Sequence, residues 1–431
     1  MINLLKRITT SDVQKTRLGS EVVVAGFVEQ SKLLGKMAFL KLRDRDGYIQ
    51  IVATSDYTKM KELNSISRES VVSIRGRVKK SKARSGGKEL ELIELNLLSK
   101  AATPLPIEFL GKKIETDMSK RLDYRYIDLR NPKILAIFKI RSIILSAIHS
   151  FMRESKFIEM QTSKLSGAGA EGGAELFELP YFGKKVALNQ SQQLYKQLIM
   201  LSGFERAYEI GTSYRAEKSH THRHLTEFWQ LDVEMSFIDG IEEIMRLQER
   251  LLVYILKQVK REGQAELALL GKDITIPKLP FPRINYSDAC KLLKIKPSTD
   301  IGTELERKLA KIVKSRFKTD AFFLTNFPSD FTKFYAMHDG NIGRYVDLIY
   351  NSNEISSGGQ REHNYDILIQ QLKDKGLRPN DFEFYTTPFK YGAPPHGGFG
   401  MGIDRLVTFI LDLPNIREAV LFPRDVDRIG P

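Results

Sequence analysis

Hydrophobic and polar positions in the first hundred residues follow a two-residue period. Short runs that alternate, or that are rich in β-branched residues, occupy 21–28 (EVVVAGFV), 38–43 (AFLKLR), 48–53 (YIQIVA), 71–78 (VVSIRGRV) and 89–98 (ELELIELNLL). Successive side chains of a strand point to opposite faces, so this pattern predicts five strands. Asp46-Gly47 and Gly86-Gly87 supply turn signals between them. Five short strands in about a hundred residues predict a small closed barrel of the oligonucleotide-binding type.

Beyond the barrel the period changes. Residues 104–133 hold Pro104, Pro106 and Pro132 and read as a hinge between a domain at 1–103 and a second at 134–431. Ile137, Ile140, Ile144, Ile148 and Phe151 recur three or four residues apart, predicting a helix from Pro132 to about Lys156. A strong helical pattern follows near 241–261 and another from about 402 to 412, with strand-like stretches at 227–238 and 345–356. The expected class of the second domain is therefore α+β, an antiparallel β-sheet flanked by helices. Residues 262–335 carry no motif and are expected to pack beside that sheet as an insertion.

Composition narrows the setting. The 431 residues include one cysteine, Cys290, so no internal disulfide can form. No run of eighteen apolar residues occurs, and MINLLKRITTSDVQK lacks the signal-peptide pattern, so no membrane span and a cytoplasmic location are expected. Net charge is +14, from 67 Lys and Arg against 53 Asp and Glu. That excess favours a polyanionic partner and is densest at Lys79, Lys80, Lys82, Arg84 and Lys88.

Several chemistries are disfavoured. No GxxxxGK[ST] phosphate loop is present, and one cysteine excludes a cysteine metal site. His220, His222 and His224 alternate in a polar loop but would need a further ligand to hold a metal. Three clusters remain. In the first, Arg215-Ala216-Glu217 is followed by Arg223-His224-Leu225 and Glu227-Phe228-Trp229; arginines can hold phosphate oxygens and Phe228 can stack on a purine. Seen alone it is equally a surface strand pair with solvated charges. The second is Asp347 and Glu354 with Ser356-Ser357-Gly358-Gly359-Gln360-Arg361, carboxylates of the kind that hold magnesium beside phosphates. The third runs from Pro394 to Leu406, where glycines at a helix start expose amide donors and Arg405 adds a fixed cation.

Taken in order, these clusters resemble the three motifs of class II aminoacyl-tRNA synthetases, with 154–163 (ESKFIEMQTS) as motif 1, 214–236 as motif 2 and 397–408 as motif 3. RLDYRYIDLR (121–130), EGGAELF (171–177), SQQLYK (191–196), EISSGGQRE (354–362) and NIREAVLFPRD (415–425) bring the resemblance nearest to the archaeal aspartyl branch. It covers essentially the whole chain. It implies an ATP-dependent ligase that forms aspartyl-adenylate from L-aspartate and transfers it to the 3′ end of tRNA-Asp, with magnesium as cofactor and a homodimer as the expected assembly.

The resemblance also implies roles. Arg215 and Arg405 are the catalytic arginines. Arg215, Glu217, Arg223, His224, Leu225, Phe228, Glu354, Gly402, Ile403, Asp404 and Arg405 contact ATP. Asp347, Glu354 and Ser357 hold the metal. Aspartate meets Glu171, Gln193, Lys196, Arg215, Asp232, Ser357 and Arg361, with Lys196 and Arg361 facing its side-chain carboxylate. Relatives specific for asparagine typically lack the lysine of SQQLYK and read GGSQRE where this chain has SGGQRE. A pocket that pairs a charge rejects the uncharged isostere, which would leave its cations unpaired.

Three departures stand out. Motif 1 usually ends in proline, here Ser163, at the expected dimer interface; and Gln192 replaces a proline, so that loop is expected to be less preset. In the barrel, Phe39, Gln50 and Glu89 fall where the family contacts anticodon bases. Glu29 and Ser85 stand where members specific for tRNA-Asp tend to have tryptophan and lysine. Relaxed discrimination is expected, with tRNA-Asn as a second acceptor.

Overall fold

The alternating segments form strands β1 (Glu21–Leu34), β2 (Met37–Asp44), β3 (Gly47–Ala53), β4 (Val71–Lys80) and β5 (Lys88–Ser99). They close into a barrel in the order β1-β2-β3-β5-β4, with β1 also pairing β4. Its interior is aliphatic: Val24, Val28, Leu40, Leu42, Ile49, Ile51, Val72, Ile74, Val78 and Leu90 are all buried. Two short helices, α1 (Thr10–Lys15) and α2 (Met60–Asn64), accompany it. The computed structural model describes residues 2–55, 57, 60–82, 86–111, 116–167, 175–216, 218, 224–297 and 301–430.

The chain divides into two compact units, Met1–Thr116 and Asp117–Pro431. The stretch expected as a hinge is split between them. Its first part is strapped to the barrel: Phe109 is fully buried, Arg43 and Arg68 lie over its ring at 5.5 and 5.8 Å, and Arg68 grips Glu108 with two bonds of 2.8 and 2.7 Å. Its last part forms α3 (Met118–Asp123) and α4 (Arg125–Asp128) of the second unit.

That second unit is built on a sheet. The remaining helices are α5 (Pro132–Glu154), α6 (Gln193–Met200), α7 (Ile241–Glu262), α8 (Gln264–Leu270), α9 (Tyr286–Leu293), α10 (Thr303–Phe317), α11 (Tyr365–Asp374), α12 (Glu383–Thr386) and α13 (Ile403–Ile410). Strands β6 (Ile158–Glu159), β10 (Arg206–Tyr214), β11 (Glu227–Ser236), β12 (Arg283–Asn285), β13 (Ala321–Pro328), β15 (Ile342–Tyr350), β16 (Asn353–Gln360) and β17 (His396–Gly402) run in the order β12-β13-β15-β16-β17-β11-β10-β6. A small sheet of β7 (Leu165–Ser166), β8 (Glu178–Tyr181) and β9 (Lys184–Leu188) stands apart, and β14 (His338–Asp339) pairs β15.

Four expectations need correction here. The sheet is mixed: β12 pairs β13 and β6 pairs β10 in parallel, and the pairs between are antiparallel. The stretch 345–356 is a hairpin, reversed at Asn351 (φ 48°) and Ser352 (φ 64°). Residues 262–335 are no mere insertion, because β12 and β13 belong to the main sheet. The glycines of 397–402 do not sit at a helix start. They form β17, laddered to β11 and β16, and only Gly402 caps α13.

Helix α5 is long and apolar enough to cross a membrane by length and composition, yet Ile137, Ile140, Ile144, Ile148 and Phe151 are buried inside this unit. The stretches 121–130 and 415–425 meet in space. Arg125 is 1 % exposed, pairs with Asp128 at 2.5 Å and donates to the carbonyls of Leu421 and Val420, both at 3.0 Å. Arg121 bonds Glu418 at 3.0 Å. Replacing Arg125 by leucine strips these carbonyls of donors and weakens a buried ion pair, so urea denaturation should register a loss of about 3 kcal/mol.

Candidate active site

One face of the sheet packs on helices; Ser356 Oγ, for instance, donates to Gln248 of α7 at 2.8 Å, and Leu231, Leu348 and Met401 share that face. Strand alternation sends the neighbours the other way. Asp347, Ser357, Gly400, Asp232 and Glu209 thus fall in one row across five strands. Over this row lies a cavity of about 370 Å³. Of the expected residues, Gln193, Arg215, His224, Leu225, Phe228, Asp232, Glu354, Ser357, Gly402, Asp404 and Arg405 line it. Glu171, Glu217 and Arg223, and Ser85 in the barrel, lie outside the described residues.

Beneath one part of the cavity is a cluster of buried charge. Lys196 Nζ sits 2.9 Å from Asp232 Oδ1, 3.6 Å from Glu234 and 3.0 Å from the carbonyl of Phe399. Arg361 donates to Glu234 at 2.9 Å, to the Gly398 carbonyl at 2.9 Å and to Gln193 at 3.3 Å. Both cations are 1 % exposed and neither lines the cavity. Burial opposes the charge of Arg361, but the Glu234 carboxylate outweighs it and holds the guanidinium above its ordinary range. Asp232 does reach the cavity, and its Oδ2 has no hydrogen-bond partner among the described residues.

At the other part, Arg215 follows β10 and Phe228 is the second residue of β11, with Arg215 N donating to Thr226 O at 2.9 Å between them. The Arg215 guanidinium lies 5.2 Å over the Phe228 ring, so one flat cation and one aromatic face stand together. Arg405, in the first turn of α13, is 3.5 Å from Glu354. Asp404 is mainly structural: its carboxylate takes the Trp229 amide at 2.8 Å and Arg141 at 2.5 Å. Burial raises its pKa. Ile403 is fully buried and does not line the cavity.

Among the described residues no group of three or more His, Cys, Asp or Glu could hold a metal ion. Asp347 and Ser357 are nevertheless cross-strand partners, and Glu354 shares the cavity with Ser357, giving an oxygen-only set suited to a hard cation that keeps water and phosphate ligands. Tyr345 adds a hydroxyl that accepts from Ser357 at 3.1 Å; burial, and then the Asp347 charge, push its pKa up to about 12.

Sequence reading gave no individual site role to Gln190, Ser191, Trp229, Gln230, Lys333, Tyr335, Tyr345, Ile355, Gly400 and Ile416, which also line the cavity, although several of them fall inside its motifs. Register would have revealed Gln230, two residues before Asp232 on β11, and Gly400, opposite Asp232 on β17, had the pairing been known. Gln192 contradicts the expectation of a less preset loop. It is fully buried and bonds Thr212 O at 2.9 Å, so hydrogen bonding does what a proline ring would do by stiffness.

In the barrel unit, Phe39 and Lys41 share the outer face of β2, and Gln50 lies opposite Lys41. Gln50 donates to Glu89 at 2.9 Å, as does Ser81 at 3.0 Å. Glu29 is the extra residue of a β-bulge between Val28 and Gln30, and its carboxylate takes Lys41 at 2.6 Å and lies 3.5 Å from Arg43.

Comparisons with known proteins identify the family of both units. Residues 117–426 match the family model described as tRNA synthetases class II (D, K and N), and residues 22–98 match the OB-fold nucleic acid binding domain. The chain is 44% identical to an aspartate–tRNA(Asp) ligase of Thermococcus kodakarensis, over 98% of this chain and 99% of that protein. It is 40% identical to an aspartate–tRNA(Asp/Asn) ligase of Methanopyrus kandleri, over 99% of this chain and 100% of that one. In structure it resembles asparaginyl-tRNA synthetase from Pyrococcus horikoshii complexed with asparaginyl-adenylate, with TM-score 0.91, 31% identity and coverage of 98% and 99%.

His396 gives the unit a pH dependence. Its Nδ1 donates to the Pro394 carbonyl at 2.9 Å, and burial pushes its pKa down to about 4. Between that value and the ordinary 6.5, the unfolded chain binds the proton that the folded chain refuses. Stability therefore falls as pH drops through this window. At pH 4.5 the loss should reach about 2–3 kcal/mol relative to pH 7. Unfolding free energies of the wild type and His396→Gln should diverge by that amount across the window.

Proposed function

The chain belongs to the class II tRNA synthetases, and we propose that it activates L-aspartate with ATP and transfers the aspartyl group to tRNA-Asp and also to tRNA-Asn. The observation that carries the choice of aspartate is the pair of buried cations, Lys196 and Arg361, under the cavity. Asp232 and Glu234 accompany both cations, as burial requires, and the cluster keeps a lysine and an arginine beside the amino-acid end of the cavity, where a side-chain carboxylate draws them and a neutral amide does not.

In this reading Gln193, Asp232 and Ser357 orient the amino acid, and Glu171 takes its ammonium. Arg215 bridges the substrate carboxylate and the α-phosphate, holding the attacking oxygen in line. That oxygen bonds to the α-phosphorus as the bond to the β-phosphate oxygen breaks, and pyrophosphate leaves. Phe228 stacks the adenine, while Glu217, Arg223, His224, Leu225, Gly402 and Arg405 hold the rest of ATP. Arg405 offsets charge at the far phosphates. Asp347, Glu354 and Ser357 would hold magnesium, which supplies further charge neutralisation when bound. A terminal ribose hydroxyl of the tRNA then attacks the activated carbonyl and AMP leaves. No protein nucleophile is involved.

The barrel domain, taken as 1–103 with a hinge at 104–133 and the catalytic domain at 134–431, reads the anticodon through Phe39, Gln50 and Glu89. The working form is a cytoplasmic homodimer. Acceptance of tRNA-Asn is supported by Glu29, a carboxylate already paired with Lys41 at the position where members specific for tRNA-Asp tend to have a tryptophan.

Purified protein should catalyse ATP–pyrophosphate exchange with aspartate and not with asparagine; exchange with asparagine would overturn the pocket argument. Aspartylation of tRNA-Asn should proceed within about tenfold of tRNA-Asp, whereas a preference of several hundredfold, about 3.5 kcal/mol, would show full discrimination.

A further inference from the structure

We infer that Gln192 is a positioning residue that decides which end of the Gln230 amide faces the amino-acid substrate. The inference rests on the aspartate-activating reading. Gln192 is fully buried and does not itself line the cavity; Gln230 is 8 % exposed and does.

The reasoning begins at a backbone carbonyl, which can only accept. Thr212 O lies 2.9 Å from Gln192 Nε2, so the nitrogen end of Gln192 must point there. Its oxygen is then left for its other neighbours. It accepts from Ser213 Oγ at 3.2 Å and from Gln230 Nε2 at 2.7 Å. Gln230 Nε2 also donates to Ser213 Oγ at 2.9 Å. Both amide hydrogens of Gln230 are therefore spent inward, and the group it offers the cavity is its carbonyl oxygen. A chain of four polar groups carries one fixed polarity from strand β10 to the ligand.

The surroundings leave room for this. Gln230 lies between Gly211 and Gly402 in register, so it has no side chain beside it on either strand. A methyl group at Gly211 would stand 3.0 Å from Gln192 Nε2, tighter than its packing tolerates. On the cavity side, a methyl group on Gly400 would have Asp232 Oδ1 at 3.6 Å and Gln230 Oε1 at 4.0 Å. Two acceptor oxygens thus border the open space above Gly400. The complementary group is a hydrogen-bond donor, and in aspartate that donor is the ammonium.

Gln192→Met keeps length but frees the Gln230 amide to rotate. In ATP–pyrophosphate exchange it should raise the KM for aspartate about tenfold, the worth of one well-placed hydrogen bond, with the KM for ATP within about twofold. Combining it with Gln230→Met should add nothing to the effect of Gln230→Met alone, because the two act through one group. Should Gln192→Met fail to fold, Ser213→Ala removes the second acceptor of Gln230 and should move the aspartate KM in the same direction. An unchanged aspartate KM, an equal rise in the KM for ATP, or additive effects in the double variant would overturn the inference while wild-type exchange still upheld the ligase. Absence of wild-type exchange with aspartate would remove the ligase reading and this inference with it.

Discussion

Two positive and two negative side chains lie buried side by side under the cavity, and much of the second unit is arranged to keep them there. Helix α6 carries Lys196, β11 carries Asp232 and Glu234, and Arg361 follows directly on β16. Strand β17 supplies the carbonyls of Phe399 and Gly398 that take the remaining donors. Remove any one member and an uncompensated charge remains in a low-dielectric interior, which costs far more than the net worth of the pair. The cluster therefore fixes the position of one helix against three strands. It also leaves one carboxylate oxygen, Asp232 Oδ2, facing unmet demand at the edge of the cavity.

Glycines serve this arrangement in two distinct ways. At Gly398 a methyl group would fall 1.9 Å from the Val233 carbonyl and 2.4 Å from Glu234 Oε2, so the glycine admits both the neighbouring strand and its buried carboxylate. At Gly400 nothing lies closer than 3.6 Å, and packing alone would tolerate a side chain. Its bareness keeps the floor of the cavity low. Neighbouring glycines on one strand thus answer to the core and to the ligand space respectively.

The barrel was legible because alternation and β-branched residues coincide with burial on one face, and all five segments became strands. Helix α7 was legible for the matching reason, a sustained apolar stripe. What escaped was structure lacking its usual local signal. Asn351 and Ser352 make a tight reversal without glycine, so a hairpin read as one strand. The segment 396–402 is poor in strand formers and its glycines read as a helix start, yet it is a strand held by ladders on both sides. Site residues carried by motifs could be named in advance, whereas Gln230, Tyr345 and Gly400 depend on which face each strand turns inward. Gln192 was misjudged because a missing ring suggested slack, and only the fold shows the hydrogen bonds that replace it.

The clamp between Arg121 and Glu418 joins residues 297 positions apart, at opposite ends of the second unit. A growing chain emerges from the ribosome in order, and units complete in order where their contacts allow. The barrel closes through contacts among its own residues and can finish early. The second unit cannot seal its first helices until the segment around Glu418 has been made, so for most of its synthesis Arg121 and Arg125 lack the Glu418 carboxylate and the Val420 and Leu421 carbonyls that they finally hold. Nascent chains arrested before that segment would hold a folded barrel followed by an open, chaperone-accessible sheet.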